Sequence, residues 1–186
     1  TVRGNGCTAC PIRCHTMLKM PSVTAKYGIP DMGQNTCVAL MFGRAFFKQL
    51  ANKKNNETAM EACMVGMHLA DDLGLWSNYG QLQRDLRKLY EGGYLKTRLG
   101  SKEYASIPWD KYDNADPAFL LDLIPRIANR QGELGEVLSR GTGAIFDHWS
   151  IPESEWAQDH ATTYWKMGHP KHHANEDDGQ CGVIIN

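Results

Sequence analysis

The sequence predicts a mainly α-helical fold with an irregular, cysteine-bearing segment at its N-terminus. From about residue 35 onward, apolar residues recur at spacings of three and four, which is the period of an amphipathic helix. Glycine and proline punctuate residues 1–34 throughout, which favours irregular structure there. Convincing strand patterns are absent, and only residues 183–185 have a β-like composition.

Caps and breakers define the expected helices. Helices are expected at about 35–50, 56–72, 79–90, 116–124 and 133–140, with loop over 94–114. Asn55 or Asn56 offers an N-cap to the second helix, and Asp116 followed by proline opens the fourth. Pro125 should kink or restart that helix.

Charge and hydropathy exclude two classes of function. The chain has 20 basic and 21 acidic residues, so it lacks the basic excess that a nucleic-acid-binding surface needs. It contains no apolar run of about 18 residues and no signal peptide. Because it starts at Thr1 and ends in an apolar stretch, we expect a segment of a larger polypeptide. Residues 1–75 are expected to contain the cysteine-bearing loop and a first helical part, and residues 76–186 a second helical part.

Three of the six cysteines are clustered near the N-terminus. Cys7, Cys10 and Cys14 are too close in sequence for unstrained disulfides, and nothing else indicates secretion. Reduced thiols in the cytoplasm are therefore expected, and clustered reduced thiols usually hold a metal. An iron–sulfur cluster requires four such thiolates, whereas structural zinc usually presents paired knuckles that are missing here.

The fourth cluster ligand has three candidates. Cys63 lies on an apolar helix face, where a small buried side chain is the simplest interpretation, and nearby His68 is expected to be a satisfied core residue. Cys37 opens a predicted helix, where the helix dipole favours a thiolate. Cys181 follows a polar turn. Spacing alone does not choose among the three.

Several motifs occur in an order that carries a family resemblance. They are the cysteine trio, Asp71-x-x-Gly74-Leu75, the segment 132–138 and the segment 178–181. This ordered set resembles the helical half of the aldehyde:ferredoxin oxidoreductases, which are tungsten-pterin enzymes. Residues 10–16, 33–37 and 73–80 are most similar to the tungsten subunit in the ATP-independent benzoyl-CoA reductase branch of that family.

The resemblance implies the cofactors and their ligands. It implies a 4Fe-4S cluster on Cys7, Cys10, Cys14 and Cys181, and a tungsten atom held by two pterins (tungstopterin), with Mg as an additional ion. One pterin would be bound by the turn containing Asp71, Gly74 and Leu75. The other would be bound by a second turn containing Glu176, Gly179 and Gln180, which departs from the family pattern.

Further residues would surround the metal. In the benzoyl-CoA reductase branch a cysteine thiolate completes the tungsten sphere, and Cys37 is the candidate. In sequence position, Asp31 is the nearest equivalent of the glutamate that aldehyde enzymes place close to the metal. An ordinary turn aspartate is nevertheless the simpler interpretation of this residue. His169, His172 and His173 are candidate proton donors, or else part of a solvated polar loop.

The expected activity is reduction of the aromatic ring of benzoyl-CoA to a cyclic diene thioester. The alternatives are oxidation of aldehydes to carboxylic acids, a molybdopterin oxidoreductase fragment, an iron–sulfur electron carrier and a zinc-stapled binding module. The expected partners are an electron-transfer iron–sulfur subunit or ferredoxin within a hetero-oligomer, and an aromatic acyl-CoA or aldehyde as the small-molecule substrate. No nucleic acid is expected to bind.

Overall fold

A computed structural model describes residues 2–5, 15–36, 43–50, 56–75, 82–140 and 142–152. In these ranges the strands are β1 Val2–Asn5, β2 His15–Lys19 and β3 Met32–Thr36. The helices are α1 Pro21–Tyr27, α2 Glu57–Asp72, α3 Leu82–Glu91, α4 Tyr94–Arg98, α5 Ser101–Ser106, α6 Trp109–Asp113, α7 Leu120–Ala128, α8 Gly132–Ser139 and α9 Thr142–Trp149, with a 3-10 turn at Pro117–Phe119. The predicted mainly α class is confirmed. None of the described helices is both long and apolar enough to span a bilayer.

The three strands form an antiparallel sheet in the order β1-β2-β3. Asn5 pairs with His15, which pairs on its other side with Thr36, so these three residues form a row across one end of the sheet. The prediction of irregular structure over residues 1–34 was therefore wrong for the strands and for α1. The strands are only four or five residues long, and pairing between distant segments, which short sequence patterns do not show, holds them together.

The expected helix from residue 35 cannot begin there, because Asn35 and Thr36 belong to β3. Residues 37–42 lie outside the described part of the chain, and residues 43–45 form a helical turn. Gly43 lies so close to the backbone carbonyl of Ala62 in α2 that a Cβ at this position would collide with it. This glycine therefore sets how closely the turn packs on α2.

Helix α2 is the centre of the core and matches its prediction. The side chain of Asn56 accepts a hydrogen bond from the backbone N–H of Ala59 at 3.0 Å, which is the predicted N-cap. The helix packs against α1, β3 and α7, and its buried side chains include Met64, Val65 and Met67.

The predicted start at Asp116 is the start of the 3-10 turn that leads into α7 at Leu120, and α7 does not restart at its proline. Asp116 accepts a hydrogen bond from the N–H of Ala118 at 2.9 Å, and the following helix continues through Pro125 to Ala128. Proline removes one backbone hydrogen bond. Burial of Leu123, Ile124 and Ile127 stabilises the helix on both sides of that gap.

The loop predicted over residues 94–114 is in fact three short helices, α4, α5 and α6. Their aromatic side chains pack on each other and on Tyr90 of α3. The rings of Tyr90 and Trp109 stack with centroids 4.7 Å apart, and the indole N–H of Trp109 donates to the carbonyl of Tyr104 at 2.9 Å. The glycine and proline residues in this region separate helices and do not prevent them. Helix α9 was not predicted either.

The start of α8 explains the glycines of the motif at 132–138. Gly132 has φ +69°, and the Glu103 carboxylate accepts hydrogen bonds from the backbone N–H groups of Glu133 and Leu134 at 3.0 and 2.9 Å. A Cβ on Gly132 would collide with this carboxylate, and one on Gly135 would collide with the carbonyl of Arg126 in α7. The motif therefore allows α8 to be capped by Glu103 and to pack closely on α7.

We expect Gly132→Ala to destabilise the chain by about 1–3 kcal/mol from backbone strain alone, with a further loss as Glu103 is displaced. The midpoint of urea unfolding measures this effect. Gly100→Ala is the matched control, because Gly100 has a negative φ of −57° and nothing lies within 4 Å of the added Cβ. Equal midpoints for the two variants would contradict the proposed role of Gly132.

Candidate functional site

The predicted pterin turn is the C-terminal end of α2. The N–H of Leu75 bonds the carbonyl of Ala70 at 2.7 Å, and the N–H of Gly74 bonds the carbonyl of Asp71 at 3.1 Å. Gly74 has φ +67°. These two hydrogen bonds around a left-handed glycine are the Schellman arrangement that ends many helices. Helix termination is therefore sufficient to explain why Gly74 and Leu75 are present.

Helix termination does not explain Asp71. Its side chain is exposed, as is that of Asp72, and both lie in the last turn of α2. The partial negative charge at a helix C-terminus disfavours carboxylates by about 0.3–1 kcal/mol each. Within the described ranges no group hydrogen-bonds the Asp71 carboxylate, and nothing lies within 4 Å of a Cβ built on Gly74. The turn thus presents an acceptor beside open space, which suits the N–H groups of a pterin edge.

The sheet organises the segments that carry the clustered cysteines. Cys7, Cys10, Cys14 and Cys37 lie outside the described residues, but residues that flank them are described. Residues 6–14 connect β1 to β2, and the Asn5–His15 pair joins the two ends of that connection. Thr36, the residue before Cys37, pairs with the same His15. The trio and Cys37 are therefore attached to one end of one sheet.

Asp31 is attached to the opposite end of β3. It directly precedes Met32, and its carbonyl accepts a hydrogen bond from the N–H of Met20 at 2.7 Å. Five residues of extended chain span about 17 Å, so Asp31 is roughly that far from Thr36 along the strand. A single metal coordinated at the cysteine end of the sheet would be distant from this carboxylate.

Cys63 is a core residue, as its helical position predicted. Its side chain is fully buried in α2. Burial raises the pKa of the thiol to about 11, although a hydrogen bond with the backbone of Arg44 opposes part of that rise. Cys63 belongs to no group of three or more metal-binding side chains among the described residues, which agrees with its interpretation as a core residue. Cys37 and Cys181, the other candidates for the fourth cluster ligand, lie outside the described residues.

The remaining predicted site residues lie outside the described part of the chain. They are His169, His172, His173, Glu176, Gly179, Gln180 and Cys181. Among the residues that are described, no group of three or more histidine, cysteine, aspartate or glutamate side chains could hold a metal ion.

His68 is the unexpected residue of the site. It was predicted to be a satisfied core histidine, yet its Nε2 is buried and has no hydrogen-bond partner among the described residues. Its ring tip lies against β3, where a Cβ built on Gly33 would be 2.9 Å from Nε2. The sequence does show that it lies one turn before Asp71, but periodicity alone could not show that the nitrogen is unpaired.

A buried carboxylate, that of Glu61, holds α1 against α2. Glu61 accepts hydrogen bonds from Ser22 Oγ at 3.0 Å, Lys26 Nζ at 2.7 Å and Tyr27 Oη at 3.0 Å. Burial on its own raises the pKa of Glu61. The hydrogen bonds from the three donors together lower that pKa by more than burial raises it, so the net pKa lies below 4.5. The ionised form therefore stabilises the folded state.

The lowered pKa of Glu61 predicts the direction in which the free energy of unfolding changes with pH. Because the folded-state pKa lies below the unfolded value, the stabilisation is present above pH 4.5 and is lost as the pH falls through the folded-state pKa. Glu61→Gln should lower the free energy of unfolding at pH 7 by about 1–3 kcal/mol and flatten its decline in acid. Urea unfolding between pH 7 and pH 3 measures both effects. The exposed Glu57→Gln is the matched control, and an equal pH profile in the two variants would argue against this role.

Comparison with known proteins places the chain in a family. A family model described as "Aldehyde ferredoxin oxidoreductase, domains 2 & 3" matches residues 1–182. No solved structure gave a significant match.

Proposed function

The chain belongs to the aldehyde ferredoxin oxidoreductase family, and we propose that it is the cluster-bearing and pterin-bearing part of a tungsten enzyme that reduces the ring of benzoyl-CoA to a cyclic diene. The family makes it an oxidoreductase of the metal–pterin class. The observation that carries the finer proposal is the row Asn5–His15–Thr36, which attaches the cysteine trio and Cys37 to one end of one sheet.

The proposed cluster ligands are Cys7, Cys10, Cys14 and Cys181. A 4Fe-4S cluster needs four thiolates around one compact centre, and three from a short connection commonly combine with one from a remote segment. The support for this proposal is that the connection 6–14 begins and ends at a paired position of the sheet. A fixed pair of ends reduces the entropy that the loop loses when it wraps a cluster.

Cys37 is the proposed thiolate ligand of tungsten. Its neighbour Thr36 lies in the same row as His15, so the metal and the cluster would be bound at the same end of the sheet. A soft thiolate suits a metal that pterin dithiolenes already surround with sulfur. Asp31, at the other end of β3, is the weaker candidate, since one metal cannot readily be reached from both ends of the strand.

The pterin fit rests on the α2 turn. Asp71 supplies an exposed carboxylate with no partner among the described residues, and the backbone at Gly74 leaves open space beside it. The second pterin is assigned to Glu176, Gly179 and Gln180 by resemblance. When bound, the tungsten–pterin group supplies the electron transfer between cluster and substrate. His169, His172 and His173 remain proposed proton donors, and Mg a proposed additional ion.

The electron partner is proposed to be an iron–sulfur subunit or ferredoxin, in a hetero-oligomer in the cytoplasm. The test is anaerobic purification of the complete protein, followed by analysis of iron, tungsten, molybdenum, zinc and pterin. We expect about four irons with tungsten and pterin, and reduction of benzoyl-CoA when a low-potential donor is added. Zinc in place of iron would overturn the cluster assignment.

Aldehyde oxidation is the second candidate, favoured by the name of the matching family. The same purified protein, assayed with aldehydes and an oxidised electron carrier, distinguishes the two. Activity on aldehydes together with none on benzoyl-CoA would overturn the finer proposal and leave the family assignment unchanged.

A further inference from the structure

We propose that His68 is a further pterin-binding residue, whose ring turns away from Gly33 to hydrogen-bond the cofactor held at Asp71. This inference rests on the proposed function, since it requires a pterin at the α2 turn. Its starting observation is that Nε2 of His68 is sealed from solvent and has no partner among the described residues. A buried nitrogen without a partner destabilises the folded state.

The surroundings of His68 give no reason for a polar side chain. Its Nε2 lies 2.9 Å from the position of a Cβ built on Gly33, and the methyl group of Met67 approaches the same position. Met64, one turn earlier on α2, is buried and apolar. An apolar side chain of similar volume would fill this position without leaving a nitrogen unpaired. The unpaired nitrogen of His68 therefore lowers the free energy of unfolding of the cofactor-free chain. A bound group that hydrogen-bonds this nitrogen would remove that destabilisation.

The position of His68 on α2 specifies that group. His68 and Asp71 are three residues apart on one helix, so their Cβ atoms lie on the same face, about 5–6 Å apart. A pterin is a flat bicycle with hydrogen-bonding nitrogen and oxygen atoms around its edge. One such edge can bond the Asp71 carboxylate while another atom lies within reach of an imidazole one turn earlier.

The required movement is small. His68 as a residue is only partly buried, although its Nε2 is covered. A 180° rotation about χ2 alone would leave the nitrogen near Gly33, because Cε1, whose place it would take, lies 3.5 Å from the Cβ position built there. A change of χ1 between the two rotamers that helices allow carries the whole ring tip away from Gly33 and needs no movement of the helix.

The test compares His68→Leu, His68→Gln and Met67→Leu in the complete anaerobic protein. Two quantities are measured: the rate at which pterin is released, followed by its fluorescence, and the unfolding midpoint of the cofactor-free form. We expect His68→Leu to release pterin about two- to tenfold faster, the usual effect of losing one hydrogen bond to a bound group, while the unfolding midpoint rises. Glutamine, whose amide lies near the position of Nε2, should restore retention. Met67→Leu, which changes the same contact with Gly33 but no hydrogen bond, should release pterin at the wild-type rate.

Each outcome decides the proposal. A purely structural role for His68 predicts that His68→Leu lowers the unfolding midpoint and leaves pterin release unchanged, and that result would overturn the inference. Equal acceleration in His68→Leu and Met67→Leu would also overturn it, because packing and not hydrogen bonding would then control retention. A wild-type protein without any pterin would instead overturn the proposed function itself.

Discussion

Replacing Cys14 by serine is expected to abolish the proposed iron–sulfur cluster and, with it, the proposed electron transfer to the substrate. A lost thiolate leaves the cluster with three ligands from the chain, and even outer partners of metal ligands contribute about 10- to 100-fold in metal affinity, so a direct ligand should contribute more. Iron content per chain and the visible absorbance of the cluster measure the result. Helical content should be retained, since most of the described core lies in α2 and the helices that follow it.

Cys63→Ala is the matched control for that experiment. Cys63 is buried in α2, and burial raises its thiol pKa to about 11, so its removal should leave the iron content unchanged. Its cost should be limited to packing, on the order of 1 kcal/mol in the free energy of unfolding. Loss of iron from Cys63→Ala with retention in Cys14→Ser would reverse the ligand assignment made here.

The helices were predictable wherever a local signal defines them. Asn56 caps α2 and Asp116 caps the 3-10 turn that leads into α7, each by accepting a hydrogen bond from a nearby N–H. Helical structure therefore starts at both positions that the sequence predicts. The strands have no comparable local signal. His15 pairs with Thr36 across 21 positions of sequence, and no spacing rule within either segment shows that contact.

In the candidate site, too, local features were predictable from the sequence and long-range features were not. The family resemblance identified Asp71, Gly74 and Leu75 as one turn, and the structure forms them as the end of α2. The sequence could not show that Asp31 and Cys37 belong to opposite ends of β3, since that follows from the strand between them. It also assigned His68 to the satisfied core, because periodicity predicts burial but does not count hydrogen bonds.

Asp71→Asn is expected to stabilise the cofactor-free protein and to weaken pterin binding at the same time. Asp71 lies in the last turn of α2, where the partial negative charge of the helix end opposes a carboxylate, so neutralising it should add about 0.3–1 kcal/mol to the free energy of unfolding. The same change removes a charged hydrogen-bond acceptor from the pterin. Bonds to charged groups contribute about 1.5–3 kcal/mol, so the affinity for pterin should fall about tenfold or more.

Asp72→Asn separates the two effects, because Asp72 is the next residue, is also exposed and lies in the same helix turn. It should give the same gain in stability without loss of pterin, since successive residues of a helix point about 100° apart and do not share a ligand. Unfolding midpoints of the cofactor-free forms and pterin content of the purified holoproteins provide the comparison. If both variants lost pterin equally, the effect would come from the overall charge of the helix end. A specific loss in Asp71→Asn alone means that this carboxylate binds the cofactor, and it explains why a residue that destabilises its own helix occupies this position.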